Sequence, residues 1–406
     1  MHHRPDAPQE PFHPPTPVAS PQPNPVRACL IKLADAFLRI QLPWVTLATA
    51  LVYFSYLLDL SPVLCWIGLA LACFPFSLRL ARGGFSGLRT PFDLPILLFL
   101  TGAIIGFSVS PDRAMAISLG ALQCILAVTL FYYSWMSLMK SPRFANIVKW
   151  VIISLALIFL VVCVLYVIAV SVIKGQPDLD ILGSGTHHGL AMYLAIEGAI
   201  LLGIAAFDRN KRTRLFTLLL FVVFLVIVVV WTRHSLNSLV GGVSISGRWH
   251  TWEKTASLLS DSPFTGLGLG CWALARWGTT VLGTADIDGI THTHNAYLEL
   301  YANTGILGVM ALLVAIGIGL KLSLDIIRSP RTHPWYGFGV GVILACIATL
   351  MVAVLESAPM GVPLVAADTY YYVVSPISWM LCGLLVTAHR HITKSPRPRN
   401  DQMQTR

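Results

Sequence analysis

The sequence predicts an all-α, polytopic membrane protein with about ten transmembrane helices and one long polar loop. Hydrophobic residues make up 55% of the 406 residues and charged residues only 12%, about half the charged share of a typical soluble domain. The mean hydropathy is +0.71. Several apolar runs reach the ~20 residues that a helix needs to cross the hydrocarbon core. Most of the surface is therefore expected to face lipid.

The apolar runs give the order of the predicted spans. Hydropathy places them at residues 42–60, 62–80, 93–110, 114–138, 147–173, 189–207, 214–231, 295–323, 336–356 and 371–388. Before them, residues 1–28 are rich in proline and are predicted to be a disordered tail. This tail lacks the apolar core of a cleaved signal peptide. A short amphipathic stretch from Cys29 to Ile40 is predicted to lie in the membrane interface.

The cations give the predicted orientation. Lys and Arg fall in short clusters on alternate loops and in the basic tail 391–406, so the positive-inside rule places both termini in the cytoplasm. Residues 29–231 then hold spans one to seven, residues 232–294 form a long periplasmic loop, and residues 295–390 hold spans eight to ten. The net charge of +9 is spread over these clusters rather than gathered in one patch. Binding to nucleic acid is therefore not expected.

No metal or cofactor is expected. The eight cysteines show neither the spacing of a zinc site nor that of a disulfide framework. Asp286, Asp288, His292 and His294 could together bind a metal, but their spacing is loose. An Asp-x-Asp pair also usually serves nucleotide sugars, which are cytoplasmic. A metal site is kept only as an alternative.

The most informative segment runs from Thr291 to Gly308. Asn295 is predicted to cap a helix that begins at the next residue. His294 would then lie at the membrane surface, at the positive end of that helix, where neutral imidazole is favoured over imidazolium. A neutral imidazole can accept a proton, as a general base must. The alternatives are that His292 is the base, or that His294 is an ordinary surface histidine.

This segment resembles the signature of the bacterial O-antigen ligases and of their relatives, the O-antigen polymerases and the membrane oligosaccharyltransferases. The matching pattern is His294-Asn295, nine residues, Gly305, two residues, Gly308. Further similar blocks, in chain order, are Gly185–Leu194, Thr232–Ser235, Ser246–Trp252 and Asp261–Gly270. In the family, a transmembrane hairpin is expected between the second and third of these blocks, whereas here only residues 237–245 lie between them.

The resemblance implies a membrane glycosyltransferase of GT-C-like fold in the bacterial cell inner membrane, with its active site facing the periplasm. The donor would be a glycan linked to undecaprenyl diphosphate, and the acceptor a hydroxyl of lipid A–core, in lipopolysaccharide biosynthesis. Arg233 and Arg248 are assigned to the diphosphate, with Arg276 as a weaker third. Guanidinium groups match phosphate oxygens and keep their charge. His294 would deprotonate the acceptor, and attack opposite the leaving group predicts inversion.

Other residues are weaker candidates for contacts with the substrate, and each has a plain structural alternative. His187 and His188 begin a predicted periplasmic helix, and Glu197 is an ionisable group in mid-span, which tends to face a cavity or a partner. Asn295 and Tyr297 flank the start of the helix after His294. For Tyr297, membership of an interfacial aromatic belt is the more ordinary interpretation.

Three alternative functions remain open at this point. An O-antigen polymerase or a protein O-oligosaccharyltransferase would share the donor chemistry and differ in the acceptor. A transporter or flippase for lipid-linked sugar belongs to another class. It should show inverted repeats and several charged residues within its spans, and the sequence shows no convincing repeat. Membrane lipids are the expected surroundings in every case.

Overall fold

The computed structural model describes residues 25–39, 62–83, 89–110, 187–241, 245–269, 295–354 and 377–394, together with isolated residues and short pieces such as 149–154, Cys271 and Thr293. Within 187–195, 227–241 and 245–247 the description covers the helix backbone only. The chain divides into two units, residues 1–40 and residues 41–406, and residues 25–39 are the described part of the first. There, α1 (Pro25–Arg39) is an amphipathic helix. It covers most of the predicted interfacial stretch and begins four residues earlier, within the tail that the sequence predicts to be disordered.

In the second unit, residues 41–406, the described residues form mainly helices. Their bounds are α2 (Pro62–Gly83), α3 (Asp93–Val109), α4 (His187–Phe207), α5 (Lys211–Gly241), α6 (Ile245–Asp261), α7 (Ala296–Ile327), α8 (Tyr336–Val352) and α9 (Ile377–Lys394). Two short strands, β1 (Leu364–Val365) and β2 (Tyr372–Val373), pair antiparallel. Apart from this small ladder, the regular elements of the described residues are helical, as predicted.

Among the described residues, one helix is long and apolar enough to cross a membrane. This is α7, with 32 residues and a hydropathy of 2.3 over its most apolar window. It exposes large aliphatic side chains, including Leu313, which is 62% exposed. The total of about ten spans stays a prediction, because residues 42–60, 114–138 and 147–173 lie mostly outside the described part of the chain.

The helices approach one another closely where glycines meet. Gly203 of α4 lies against the backbone of Gly341 of α8, and Gly337 lies against the backbone at Phe207. Small residues allow such close contact, which drives helix association where lipid replaces water. Around this crossing, buried side chains of α3, α4, α5, α7, α8 and α9 form one hydrophobic core.

The polar contacts lie at two opposite ends of the bundle. At one end, Lys149 pairs with Asp208 at 2.7 Å, and His389 contacts Asp325 at 3.2 Å. At the other end, Ala296 N–H donates to the carbonyl of Ala353. The chain therefore reverses direction between α7 and α8.

The structure differs from the predicted loop 232–294 in two places. Helix α5 continues to Gly241, ten residues beyond the predicted end of the span at 231, and α6 occupies residues 245–261. Hydropathy falls after Trp231, but no proline or glycine interrupts the chain before Gly241. The residues between Trp231 and Gly241 are compatible with a helix, so α5 continues through this more polar stretch.

Candidate active site

Asn295 caps α7, as the sequence predicts. Its backbone is extended, and its side-chain Oδ1 accepts hydrogen bonds from the backbone N–H groups of Tyr297 and Leu298 at 3.0 and 3.1 Å. These donors have no partner within the helix, so the side chain supplies one. The first residue of the predicted His-Asn pair, His294, lies outside the described residues, but the residues on both sides of it are described.

Thr293 and Glu299 form a buried polar network beside this cap. Glu299 Oε2 accepts from the Thr293 backbone N–H at 3.2 Å and lies 3.0 Å from the Thr293 hydroxyl. Asn303, one turn further along α7, donates from Nδ2 to the Glu299 carbonyl at 2.8 Å. All three residues are at least 96% buried. Burying polar groups is costly unless they are hydrogen-bonded, so this network fixes the segment on the start of α7.

Helix α6 is joined to the same segment by Trp252. Its indole N–H donates to the backbone carbonyl of Thr293 at 2.9 Å. Arg248 lies four residues earlier on α6 and therefore on the same face of that helix. Arg248 is half-buried, whereas its neighbour Trp249 is exposed and lies beside Trp252, with ring centroids 6.2 Å apart. The structure thus brings the face of α6 that carries Arg248 to the residue that precedes His294.

A turn after α6 docks into a break in α7. At Gly305 the helix leaves helical geometry, with φ +63°. The N–H of Ile306 donates to the carbonyl of Phe264 at 3.3 Å, while the carbonyl of Ala302 accepts from Leu267 N–H at 2.8 Å. In an unbroken helix, Ile306 and Ala302 would bond to each other. The Ala302 carbonyl also accepts from Gly268 N–H at 3.2 Å. The turn therefore replaces one hydrogen bond of the helix with three bonds between the helix and the turn.

Gly305 is required at this break. A Cβ atom there would overlap the Phe264 carbonyl oxygen, and its positive φ disfavours any other residue. The turn is also held on its other side, because Leu269 N–H donates to the Gly106 carbonyl of α3 at 3.1 Å and the Ser110 hydroxyl donates to the Leu269 carbonyl at 2.9 Å. The block Asp261–Gly270 and the signature segment that contains Gly305 are therefore in direct contact with each other.

An apolar cavity of about 330 Å³ lies below this polar region, between α3, α7, α8 and α9. Its lining extends along α7 from Leu300 to Ile327 and includes Phe99, Ile343 and Trp379 from the other helices. Leu300 is little more than one helical turn from Asn295. The cavity therefore extends from just beneath the network along most of the length of α7.

The backbone places two further groups of predicted residues toward the same end of the bundle. Gly198 of α4 faces Phe221 of α5, and the two helices run in opposite directions after the turn at Asp208. His187 lies 11 residues before Gly198, and Arg233 lies 12 residues after Phe221. Because the rise per residue is the same in both helices, His187 and His188 lie at about the same height as Arg233. Their side chains are outside the described part of the structure, as are residues Arg276 and His292 altogether.

The side chains of two predicted residues, Glu197 and Tyr297, are not part of this polar network. Glu197 lies half-buried in the middle of α4, ten residues from either end. The Tyr297 hydroxyl donates to the carbonyl of Leu350 of α8 at 2.6 Å, so it fastens α7 to α8. Among the described residues, no cluster of three or more His, Cys, Asp or Glu could hold a metal ion. Asp286, Asp288, His292 and His294 lie outside that set.

Sequence reasoning missed Thr293, Trp252 and Glu299. One available signal was Glu299 itself, an ionisable residue within a long apolar helix, because such residues are costly there and usually have a specific partner. Nothing in the local sequence identifies that partner as Thr293, and nothing there joins Trp252 to a carbonyl 41 residues later.

Comparison with known proteins identifies the region that carries these contacts. Residues 179–313 match the family model described as O-antigen ligase. Over this stretch, the chain is similar to the O-antigen ligase family. The match extends from before α4 to the middle of α7, so it includes the cap, the buried network, α6 and the break at Gly305. No curated protein matches the chain. The match confirms the resemblance predicted from the motifs and supports a place in a superfamily of membrane glycosyltransferases.

Proposed function

We propose that this protein is an O-antigen ligase that transfers a glycan from undecaprenyl diphosphate to lipid A–core at the periplasmic face of the inner membrane, without a metal and with inversion. The observation that carries the proposal is the hydrogen bond from Trp252 to the Thr293 carbonyl. It joins the helix face that bears Arg248 to the residue before His294. A cation and a proton acceptor are the two groups that this reaction requires.

The proposed reaction replaces one bond at the anomeric carbon with another. The acceptor oxygen attacks that carbon, the bond to the diphosphate oxygen breaks, and the hydroxyl proton passes to His294. General-base assistance of this kind typically contributes ~10²–10⁴-fold. The departing diphosphate gains negative charge, which Arg248 and Arg233 would stabilise as fixed cations, with Arg276 as a third. Attack from the face opposite the diphosphate inverts the configuration.

The apolar cavity supports a lipid-linked donor. It begins at Leu300, close to the polar network, and its lining consists mostly of aliphatic and aromatic side chains of the helices. An isoprenoid chain placed along α7 would leave its diphosphate near the start of that helix. A helix N-terminus also favours an anion. The cavity and the network are thus arranged as the apolar and the polar parts of one amphipathic substrate require.

Deleting the gene in its own host tests the function. Loss of polymer from lipid A, with polymer retained on undecaprenyl diphosphate, is the result expected for a ligase. Accumulation of cores that carry a single repeat would instead identify a polymerase. An unchanged lipopolysaccharide ladder together with loss of glycan from a protein would identify an oligosaccharyltransferase. An unchanged ladder with no other change in glycosylation would reject all three.

Substituting the proposed base tests the mechanism. His294→Ala should lower transfer by ~10²–10⁴-fold while the protein is still inserted in the membrane, as measured by complementation of the deletion strain and by immunoblotting of membranes. His333→Ala is the matched control, because His333 follows α7 at the opposite end of the bundle. Full activity of the His294 variant would remove this residue from the mechanism.

A further inference from the structure

We infer that Glu299 is a positioning residue for the proposed base, and that it acts through Thr293. The inference rests on the proposed function, since it requires that His294 accept the proton. Glu299 belongs to the buried network on α7, and its carboxylate reaches the residue before His294 rather than the surface. Its role is to hold the backbone on one side of the base in a fixed place.

Thr293 is held by every polar group that it has. Its N–H donates to Glu299 Oε2, its carbonyl accepts from Trp252, and its hydroxyl lies 2.8 Å from the carbonyl of Asn295 and 3.0 Å from Glu299 Oε2. The same hydroxyl oxygen accepts from the Asn295 N–H at 3.2 Å. Thr293 is fully buried. A residue bonded through its backbone and side chain in this way has little freedom to move.

Glu299 is in turn held by α7. Asn303 Nδ2 lies 3.4 Å from its Oε1 and donates to its backbone carbonyl at 2.8 Å. The carboxylate also lies in the first turn of the helix, where the positive end of the helix dipole favours an anion. Thr293 is therefore fastened to a rigid element, not to another loop.

Both neighbours of His294 are thus fixed on the same helix. On one side, Thr293 is bonded to Glu299, and on the other, Asn295 is bonded to the first N–H groups of α7. A general base must lie within hydrogen-bonding reach of the proton that it removes. A displacement of about 1 Å can cost ~10²-fold in rate. The network supplies this precision for a residue that precedes the helix.

A pair of substitutions at Thr293 tests the inference. Thr293→Val keeps the shape of the side chain but removes the hydroxyl bonds, whereas Thr293→Ser keeps the hydroxyl. With purified protein in liposomes, undecaprenyl-diphosphate-linked glycan from the host and lipid A–core as the acceptor, the valine variant should lose about tenfold or more in kcat with little change in KM. The serine variant should stay near the wild-type rate. Equal kcat in the valine variant and the wild type would overturn the inference.

Glu299→Gln tests the carboxylate directly. An amide has one acceptor oxygen and two N–H donors. If the amide NH₂ takes the place of Oε2, it faces the Thr293 N–H. If it takes the place of Oε1, it faces the side-chain NH₂ of Asn303. In either orientation, one donor faces another donor. Transfer should therefore fall in this variant in the wild-type background. In the His294→Ala background the same substitution should have no further effect, since the group that it positions is gone.

The combined variants distinguish the possible failures. If Glu299→Gln lowers kcat by the same factor with and without His294, then the residue acts on the fold in general and the inference is wrong. If the wild type transfers glycan and His294→Ala does not, but both Thr293 variants are fully active, only the positioning role fails. If His294→Ala is fully active, the proposed mechanism fails, and the inference with it.

Discussion

Asn295 illustrates how a residue of a functional motif can serve the fold. Its side-chain oxygen is occupied by two backbone N–H groups at the start of α7, and the residue is 9% exposed. Its place beside His294 therefore has a structural explanation. A direct contact between this oxygen and the substrate is not needed to account for the residue type.

Replacing the cap should therefore affect stability. Asn295→Ala should lower the free energy of unfolding by about 1 kcal/mol, seen as a lower Tm of the detergent-solubilised protein. Asn295→Asp is the matched control, since its carboxylate can accept the same two bonds and is favoured at a helix N-terminus. Equal melting temperatures of all three proteins would show that the cap contributes nothing.

At the scale of a single element, α7 is a long apolar helix that is interrupted once. The break at Gly305 lies about a third of the way along it, and the turn from Phe264 to Leu269 supplies the missing bonds. In lipid, an unpaired backbone group costs several kcal/mol. The break is therefore tolerated because another segment satisfies it.

Gly305→Ala should be severely destabilising. Backbone strain at a positive φ costs about 1–3 kcal/mol, and the overlap with the Phe264 carbonyl adds to it. The expected result is a lower yield of folded protein and a lower Tm, measured in detergent. Gly317→Ala is the matched control on the same helix, because a Cβ atom there meets nothing within 4 Å. Similar behaviour of the two variants would argue against a specific role of the break.

Much of the candidate site follows from the sequence, but not the contacts that assemble it. The cap at Asn295 is a local property, because the residue type and the start of an apolar run predict it together. Gly305 and Phe264 lie 41 residues apart, and Thr293 is equally far from Trp252, so only tertiary packing pairs them. At Arg233, hydropathy indicates a loop, yet the helix continues. Helix-compatible residues extend α5 beyond its apolar part.

At the scale of the whole molecule, the cavity between α3, α7, α8 and α9 connects the polar end of the bundle to its apolar middle. Leu313 of α7 is 62% exposed and is not among the lining residues. The same helix thus carries residues inside and outside the cavity lining. Substitutions at these two kinds of position should have different consequences.

Filling the cavity should weaken binding of the donor. Ala315→Trp places a large ring among the lining residues. Losing ~10 dispersion contacts at ~0.1–0.2 kcal/mol each amounts to about 1–2 kcal/mol, so the KM for the lipid-linked glycan should rise roughly 5- to 30-fold. Leu313→Trp is the control at an exposed residue of α7 outside the lining. An unchanged KM in the Ala315 variant would exclude this cavity as the place of the isoprenoid chain.

The docking of the turn into α7 has a consequence for how the protein is made. Residues 264–269 leave the ribosome about 40 residues before Gly305, as counted from the sequence. The segment that completes the helix is thus already synthesised when the helix enters the bilayer. A circular permutation that put the turn after α7 would reverse this order. The newly inserted helix would then wait in lipid with its broken backbone unsatisfied, and insertion should become inefficient.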